Sequence, residues 1–283
     1  MNPSSTSDQR GKVAVITGGG GVLCAGMARA LCAAGARVAL LDLRPEAAEA
    51  VAGELRAAGH EALALAADVL DRASLAQAAE AVAERLGPCD ILVNGAGGNH
   101  PRATTTRERL DPEDPEPAAE TSFFDLDEAG IRFVFDLNLL GALLPSQVFA
   151  RQMLGRSGCS ILNISSMNAY RPLTRIPAYS AAKAAVSNFT QWLAVHLAPA
   201  GIRVNAIAPG FFATSQNHAL LFQPDGSPTA RAAKILAHTP MGRFGRAEEL
   251  AGVLLWLTSE SASGFVNGAV IPVDGGFSAY AGV

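Results

Sequence analysis

The chain has 283 residues, of which 49% are hydrophobic and 17% are charged. This composition is too apolar and too weakly charged for a disordered chain, and it predicts a sizeable core. With 22 basic and 26 acidic residues, a net charge of -4 and no block rich in Lys and Arg, the sequence lacks the electrostatic footprint of a nucleic-acid-binding protein.

Residues 1–10 form a polar tail, and the longest run without a formal charge, residues 184–202, still contains polar side chains and a proline. The sequence therefore indicates neither a secretory signal nor a membrane anchor, and we expect a cytoplasmic protein. The four cysteines include no C-x-x-C pair and have no metal-ligand spacing to a histidine. We expect reduced, mostly buried thiols and no metal site.

Short apolar runs typical of buried β-strands alternate along the chain with longer helical patterns. The runs lie at 13–17, 37–42, 62–67, 90–94, 160–165, 203–209 and 269–273, and amphipathic stretches lie at 45–58, 71–86 and 246–259. This alternation predicts an α/β fold: one doubly wound domain over residues 1–283, with a seven-stranded parallel sheet and helices on both faces.

One segment, at about 99–120, interrupts the alternation with four prolines and nine charged residues. It is far longer than an ordinary loop between a strand and a helix, so we interpret it as an insertion. It follows the carboxyl end of the fourth predicted strand. It could be a solvated, disordered excursion or a lid on the substrate side of the crevice.

A glycine run, Thr17-Gly18-Gly19-Gly20-Gly21, follows the first predicted strand and precedes a helical pattern at 25–34. A tight turn would select such a run, but glycines here also let the backbone approach a pyrophosphate at a helix N-terminus. The next strand ends at Asp42, whose carboxylate could accept hydrogen bonds from an adenosine ribose and repel the extra phosphate of NADP. Because only Arg44 could neutralise that phosphate nearby, the pattern favours NAD.

Four residues later in the chain suggest a catalytic group. Tyr179 and Lys183 are four positions apart, which places phenol and ammonium on one helical face. Ser166 ends the fifth predicted strand, and Asn138 lies in a helical stretch before it. A phenol has a pKa of about 10, and a neighbouring cation favours the phenolate, so the pair suits general acid/base chemistry.

Taken in order, these motifs resemble the short-chain dehydrogenase/reductase family over nearly the whole chain, from Thr17 to Gly276. The resemblance implies a Rossmann fold and a homotetramer. It also implies that Tyr179 is the general acid/base, that Lys183 lowers the pKa of Tyr179 and binds the nicotinamide ribose, that Ser166 holds the substrate oxygen and that Asn138 supports a proton relay. The cofactor contacts that it implies are Thr17, Gly18, Gly20, Gly21, Val22, Leu23, Asp42, Asp68, Val69, Asn94, Ala96, Gly97, Tyr179, Lys183, Pro209, Gly210 and Thr214.

The glycine loop departs from the family pattern T-G-x-x-x-G-x-G, which would place glycines at Val22 and Cys24. Either the loop uses Gly20 and Gly21 along a shifted path, or Val22 and Cys24 are accommodated with a slightly moved pyrophosphate. We expect nucleotide binding in both cases.

A narrower resemblance rests on TGGGGVLCAGMA, AGGNHPRATT, SFFDLDEAGIRFVFDLN, the segment from SSMNAYRPLTRIPAYS onward and the tail DGGFSAYAGV. These stretches look like the short-chain-type D-mannonate oxidoreductases, or fructuronate reductases. The resemblance implies reduction of the keto group of D-fructuronate to D-mannonate with NAD. Gln216, Asn217 and His218 lie where the family has a mobile substrate lid.

A sugar acid would need cationic and hydrogen-bonding groups near the crevice, and several polar residues lie near its expected position. The candidate substrate residues are Asn99, His100, Asn168, Arg171 and Arg175, with Arg102 as a further cation. Each could instead have a surface or loop role. A dehydrogenase of another polyol or keto sugar acid, such as a gluconate 5-dehydrogenase, and a non-catalytic NAD-binding protein remain alternatives.

Overall fold

The apolar runs form seven strands in the part of the chain that the computed structural model describes, residues 9–113, 120–214 and 218–282. The strands are β1 (Val13–Thr17), β2 (Arg37–Asp42), β3 (Ala62–Ala66), β4 (Ile91–Asn94), β5 (Ser160–Ile164), β6 (Arg203–Pro209) and β7 (Val270–Val273). They pair in parallel in the order β3-β2-β1-β4-β5-β6-β7. The predicted parallel sheet is confirmed, with strand bounds within one residue of those expected.

The strand order creates a crevice, because the chain builds outward from β1 to β3 and then returns to add β4 on the other side of β1. Ligands of open α/β sheets bind at such a switch point, outside the carboxyl ends of the strands. The glycine loop leaves β1 and the insertion leaves β4 at this point. The topology therefore brings both segments to one edge of the sheet.

Helices connect the strands and cover both faces of the sheet. They are α1 (Val22–Ala33), α2 (Pro45–Ala57), α3 (Arg72–Arg85), α4 (Glu128–Phe135), α5 (Gly141–Met153), α6 (Pro177–Leu197), α7 (His218–Leu221), α8 (Ala230–Ala237), α9 (Ala251–Thr258) and α10 (Glu260–Ser263). The stretch predicted as one helix at 246–259 begins with a 3₁₀ turn, Ala247–Leu250, before α9. The residues of the predicted tail at 1–8 lie outside the described residues.

Two apolar clusters lie on opposite faces of the sheet because successive side chains of a strand point in opposite directions. Ala14 and Ile16 of β1 pack with α1, α2 and α9, whereas Val13 and Val15 pack with α3, α5 and α6. All four side chains are at most 1% exposed. Burial on both faces explains why the strand sequences are continuous apolar runs without alternation.

One helical stretch among the described residues, Glu128–Met153, is long and apolar enough to cross a membrane by length and composition alone, with a mean hydropathy of 1.4. The same stretch packs against β4, α3 and α6 in this fold. Phe149 and Met153 are fully buried in the core cluster on that face. Its apolar character therefore has an explanation in the packing of the sheet.

Candidate active site

The glycine loop after β1 lies tightly against its neighbours. Gly18 has a φ of 66°, in the left-handed region, where a glycine is favoured. A Cβ at Gly19 would lie 2.8 Å from the Cβ of Leu40, and one at Gly20 would lie 2.5 Å from the Cβ of Ala47. These glycines are therefore required by packing against β2 and α2.

Helix α1 begins directly at Val22, with Gly21 as its N-cap. The N-cap forms no side-chain hydrogen bond, and the first turn contains no acidic residue. The amide groups of this turn have no intrahelical partner and carry the positive end of the helix dipole, so they suit an anionic group such as a pyrophosphate. The loop thus fits the phosphates of a dinucleotide.

The two positions where the family pattern has glycines lie at the start of α1. Val22 and Cys24 are accommodated in the first turn of α1, and Cys24 is buried with its Sγ 3.7 Å from the carbonyl oxygen of Thr17. The sulfur occupies the space that a Cβ at Gly95 would need. Burial raises the pKa of the Cys24 thiol to about 12. The thiol is consequently a packing group and not a nucleophile.

Asp42, the last residue of β2, is oriented by the backbone around it. Its Oδ2 accepts a hydrogen bond of 3.0 Å from the amide of Gly20, and its Oδ1 accepts one of 3.0 Å from the amide of Arg44. The Arg44 Nε lies 3.9 Å from Oδ1, on a side chain that is 63% exposed. A carboxylate fixed beside the glycine loop fits the hydroxyls of an adenosine ribose and disfavours a 2′-phosphate.

The other expected cofactor residues follow the carboxyl ends of neighbouring strands. Thr17 joins two of these ends, because its Oγ1 accepts hydrogen bonds from the amides of Gly95 and Ala96 at 3.1 and 3.2 Å. The side chain of Asn94 is buried and donates to Ser146 and Asn163 at 2.9 and 2.8 Å. Asn94 therefore contributes by holding the sheet together. Its neighbours at the same edge are Asp68 and Val69 after β3, Gly97 after β4, and Pro209, Gly210 and Thr214 at and after the end of β6.

The expected catalytic groups come from three elements. Ser166 lies just beyond β5 and caps the 3₁₀ turn Met167–Ala169, Tyr179 is in the first turn of α6, and Lys183 follows one turn later. Ser166 and Lys183 are 7% and 4% exposed. The i, i+4 spacing places the Nζ of Lys183 5.7 Å from the centroid of the Tyr179 ring.

Burial changes the pKa of both Tyr179 and Lys183. It raises the pKa of the Tyr179 phenol, and hydrogen bonding with Ser166 opposes that effect. Burial also lowers the pKa of Lys183 to about 8. Desolvation is thus the largest effect on the pKa of both groups, and the lowering of the Tyr179 pKa by Lys183 stays a prediction.

Asn138 lies in a π-helical turn, Asp136–Leu140, between α4 and α5, and such turns occur frequently at functional sites. Its Nδ2 donates to the carbonyl oxygens of Gly98 and Val134, each at 2.7 Å, and its Oδ1 accepts from the amide of Gly98 at 3.2 Å. A Cβ at Gly97 would lie 2.7 Å from the Asn138 Oδ1 and 3.1 Å from the Lys183 Nζ. Gly97 thus marks the point where the β4 loop, the π turn and α6 meet.

The described part of the insertion is ordered by the loop that precedes α6. Thr105 and Arg175 exchange two hydrogen bonds: the Thr105 amide donates to the Arg175 carbonyl oxygen at 2.9 Å, and the Arg175 Nε donates to the Thr105 carbonyl oxygen at 2.8 Å. Ala103 is fully buried. Residues 103–105 of the segment thus lie against the loop before α6. Residues 114–119 lie outside the described residues.

Three of the expected substrate residues have roles inside the insertion. The Asn99 Nδ2 donates to the Thr104 Oγ1 at 2.8 Å, and the His100 Nδ1 accepts from the Arg102 amide at 3.2 Å. The Arg102 guanidinium forms an ion pair with Asp127 at 2.8 Å. Arg102 thus has a partner in the fold, and its role toward a substrate stays a prediction. Asn99 and His100 therefore form hydrogen bonds within the insertion.

The loop before α6 places its polar groups differently. Asn168 is 4% exposed, and its Oδ1 has no hydrogen-bond partner among the described residues. A buried amide oxygen without a partner is costly, which makes this atom a candidate acceptor for a substrate hydroxyl. The Arg171 Nε donates to the Ser278 carbonyl oxygen at 3.0 Å. That bond orients the guanidinium without neutralising its charge.

A cavity of about 510 Å³ adjoins this loop. Its lining includes the loop residues from Arg171 to Ile176, the aromatic rings of Phe211 and Phe277, and the residues Arg231, Lys234 and His238 at one side of α8. Sequence reasoning missed these last three residues. The available signal was their i, i+3, i+7 spacing, which places them on one face of the helical pattern. Residues 215–217 and the side chain of His218, in the expected lid, lie outside the described residues.

Comparison with known proteins agrees with this geometry. A model of the family described as short chain dehydrogenase matches residues 12–223. An uncharacterized oxidoreductase of Haemophilus influenzae is 56% identical over 283 residues, which cover 100% of this chain and 99% of that protein. The uncharacterized oxidoreductase UxuB of Bacillus subtilis is 57% identical over 274 residues, which cover 96% of this chain and 97% of that protein.

A solved structure is also similar over its full length. It is a candidate D-mannonate oxidoreductase from Haemophilus influenzae with bound NAD, and it superimposes with a TM-score of 0.93 at 55% identity, covering 100% of both chains. The similarity therefore extends beyond the nucleotide-binding half to the insertion and to α8.

Proposed function

The chain belongs to the short-chain dehydrogenase family, and we propose that it is an NAD-dependent oxidoreductase that reversibly reduces the keto group of D-fructuronate to D-mannonate. The observation that carries the proposal is the position of Tyr179 at the start of α6, directly after a loop whose Arg171 and Arg175 line a cationic cavity. A substrate that places a reducible carbonyl at Tyr179 and a carboxylate in the cavity is a keto acid.

The groups that would hold the cofactor lie at or beside the carboxyl ends of the strands. The first amides of α1 would hold the pyrophosphate, Asp42 the adenosine ribose and Lys183 the nicotinamide ribose. The NAD found in the Haemophilus influenzae structure supports this assignment. NAD supplies the hydride acceptor of the reaction, and its reduced form supplies the hydride donor.

The proton steps follow from the side chains. In the direction of reduction, the Tyr179 hydroxyl donates its proton to the substrate oxygen, which Ser166 holds by a hydrogen bond. The raised pKa of Tyr179 keeps this proton in place at neutral pH. The charge of Lys183 stabilises the phenolate that remains. Asn138 fixes the β4 loop against Lys183 and so maintains their spacing.

The experiment that tests the proposal is an NADH-oxidation assay with D-fructuronate, other keto-uronates, keto-gluconates and neutral ketoses. We expect the highest kcat/KM for D-fructuronate and a lower value with NADPH. A higher kcat/KM for a keto-gluconate would assign the enzyme to the gluconate 5-dehydrogenase type. No turnover of any compound with either cofactor would indicate a non-catalytic NAD-binding protein.

We further propose that the enzyme is a homotetramer in the cytoplasm. Trp192 and Val195 of α6 are 57% and 77% exposed, and Phe133 of α4 is 43% exposed, which suits coverage by further copies of the chain. All four cysteines are free thiols, as is typical of a reducing compartment. Light scattering of the wild-type protein and of Val195→Glu tests the assembly, which should dissociate in the variant.

A further inference from the structure

Helix α8 presents a row of basic side chains to the cavity described above. Arg231, Lys234 and His238 follow one another at intervals of three and four residues, the spacing of neighbours on one helical face. All three line the cavity together with Ile235, which also packs with the buried Ala232 and Leu221 in a small apolar cluster. The face of this short helix that adjoins the cavity therefore carries the positive charges of Arg231 and Lys234.

These basic groups are not equivalent, because one of them is already compensated. The Lys234 Nζ lies 2.6 Å from the Glu108 Oε1 and also contacts Oε2, which joins α8 to the insertion. The hydrogen bond from Lys234 lowers the pKa of Glu108, and the charge of Arg175 contributes to the same effect. The Glu108 carboxylate therefore interacts with a cation of α8, Lys234, and with a cation of the loop before α6, Arg175.

Among the described residues, no guanidinium group that lines the cavity forms an ion pair, although Arg175 lies close enough to Glu108 to lower the pKa of that carboxyl. Arg171 and Arg175 each use Nε for a backbone carbonyl oxygen, which fixes the group but leaves its charge. Arg231 forms no hydrogen bond or ion pair with the rest of the described chain, although it lines the cavity. Within a protein of net charge -4, the lining of this cavity of about 510 Å³ has three guanidinium groups and Lys234 against the single carboxylate of Glu108. This excess of positive charge suits an anionic ligand.

We propose that Arg231 binds the substrate carboxylate together with Arg175, from the opposite wall of the cavity, and that α8 thereby selects keto acids over neutral ketoses. This inference rests on the proposed function. Ile176 lines the cavity and precedes Tyr179 by three residues. The proposal places the substrate carbonyl at Tyr179 and its carboxylate between Arg175 and Arg231. The substrate class is a keto acid whose carboxylate is remote from the keto carbon.

The test is the variant Arg231→Gln, which removes the charge and keeps much of the side-chain length. We expect its KM for D-fructuronate to rise by about tenfold or more, since truncating one partner of a partly desolvated charge pair has effects of this size. The kcat at saturation, the Kd for NADH and the kcat/KM for a neutral ketose should stay close to wild type. Arg231→Lys should recover part of the KM because it restores the charge without the bidentate geometry.

The matched control is Arg151→Gln, which removes a positive charge from the exposed face of α5, away from the cavity. It should leave all four quantities unchanged. An equal loss on acid and neutral substrates in Arg231→Gln would indicate a structural role and overturn the inference. An unchanged KM for D-fructuronate would also overturn it.

The outcomes separate this inference from the proposed function. If the wild type prefers D-fructuronate but Arg231→Gln does not change its KM, the proposed function holds and the inference fails. If the wild type prefers a different keto acid and Arg231→Gln raises the KM for that acid alone, the inference holds and the proposed substrate is replaced. If the wild type does not prefer acids to neutral ketoses, both fail.

Discussion

The Nζ of Lys183 donates a hydrogen bond of 2.7 Å to the carbonyl oxygen of Ile164, the last residue of β5. This bond holds a buried ammonium group at the carboxyl end of the sheet, one helical turn after Tyr179. Burial lowers the pKa of Lys183 to about 8. The group that must carry a positive charge for the reaction therefore titrates close to physiological pH.

The first prediction concerns pH. Because the protonated form of Lys183 is lost as the pH rises through about 8, we expect kcat/KM for reduction to fall on the alkaline side of that value. Tyr179 has a raised pKa, so the proton donor persists over the same range and does not cause the fall. The measurement is kcat/KM with NADH from neutral to strongly alkaline pH. A flat profile would show that Lys183 keeps its proton or that its charge is not needed.

The second prediction separates the proton donor from the cofactor site. Tyr179→Phe removes only the hydroxyl, so we expect turnover to fall by about a hundredfold or more with an unchanged Kd for NADH. Lys183→Ala should lose both turnover and NADH affinity. Steady-state kinetics and fluorescence titration with NADH provide the two readouts. Near wild-type turnover of Tyr179→Phe would contradict the assignment of the general acid.

The third prediction addresses the choice of nucleotide. Asp42→Asn keeps the shape of the side chain but removes its charge, and unit charges at about 4 Å interact by roughly 1 to 4 kcal/mol in water and near a protein surface. We expect kcat/KM with NADPH to rise relative to NADH by about tenfold. Arg44→Gln should have the opposite sign, because Arg44 is the cation beside Asp42. Equal use of NADH and NADPH by the wild type would contradict the prediction.

The fourth prediction uses the close contacts of Gly97. A Cβ there would lie 2.7 Å from the Asn138 Oδ1 and 3.1 Å from the Lys183 Nζ, so Gly97→Ala must displace at least one of these groups. We expect a fall in kcat/KM of about tenfold or more, since small displacements of positioned groups are costly. Gly98→Ala is the control, because its nearest contact would be Leu137 at 3.8 Å. Equal activities of the two variants would refute the prediction.

The fold could be predicted because strands buried on both faces need long apolar runs, and such runs are visible in a single sequence. The i, i+4 spacing of Tyr179 and Lys183 was visible for a similar reason, since it depends on one helix alone. The pKa values of these two residues could not be predicted from the sequence. The desolvation that raises the pKa of Tyr179 depends on the tertiary packing around α6, which local spacing does not specify.

The substrate side was less predictable because its contacts join distant segments. Arg102 was one of the candidate cations, but its ion-pair partner Asp127 is 25 residues later in the chain. Arg231 is 56 positions beyond Arg175 and belongs to no motif, so only the folded chain brings both residues to one cavity. Whether a charged side chain is available to bind a ligand therefore becomes clear only when its ion-pair partner in the fold is known.

The contact between Cys24 and Gly95 has a consequence for how the nucleotide loop can vary. The sulfur fills the space that a side chain at Gly95 would require, so the volume missing at one position is supplied by the other. The two positions lie on different segments, α1 and the turn after β4, and neither can change freely while the other stays the same. Substituting Cys24 with glycine would open a void, and substituting Gly95 with alanine would create an overlap. Because a Cβ at Gly95 would also lie 2.8 Å from the carbonyl oxygen of Thr17, replacing Cys24 with glycine would not by itself make room for a side chain at Gly95.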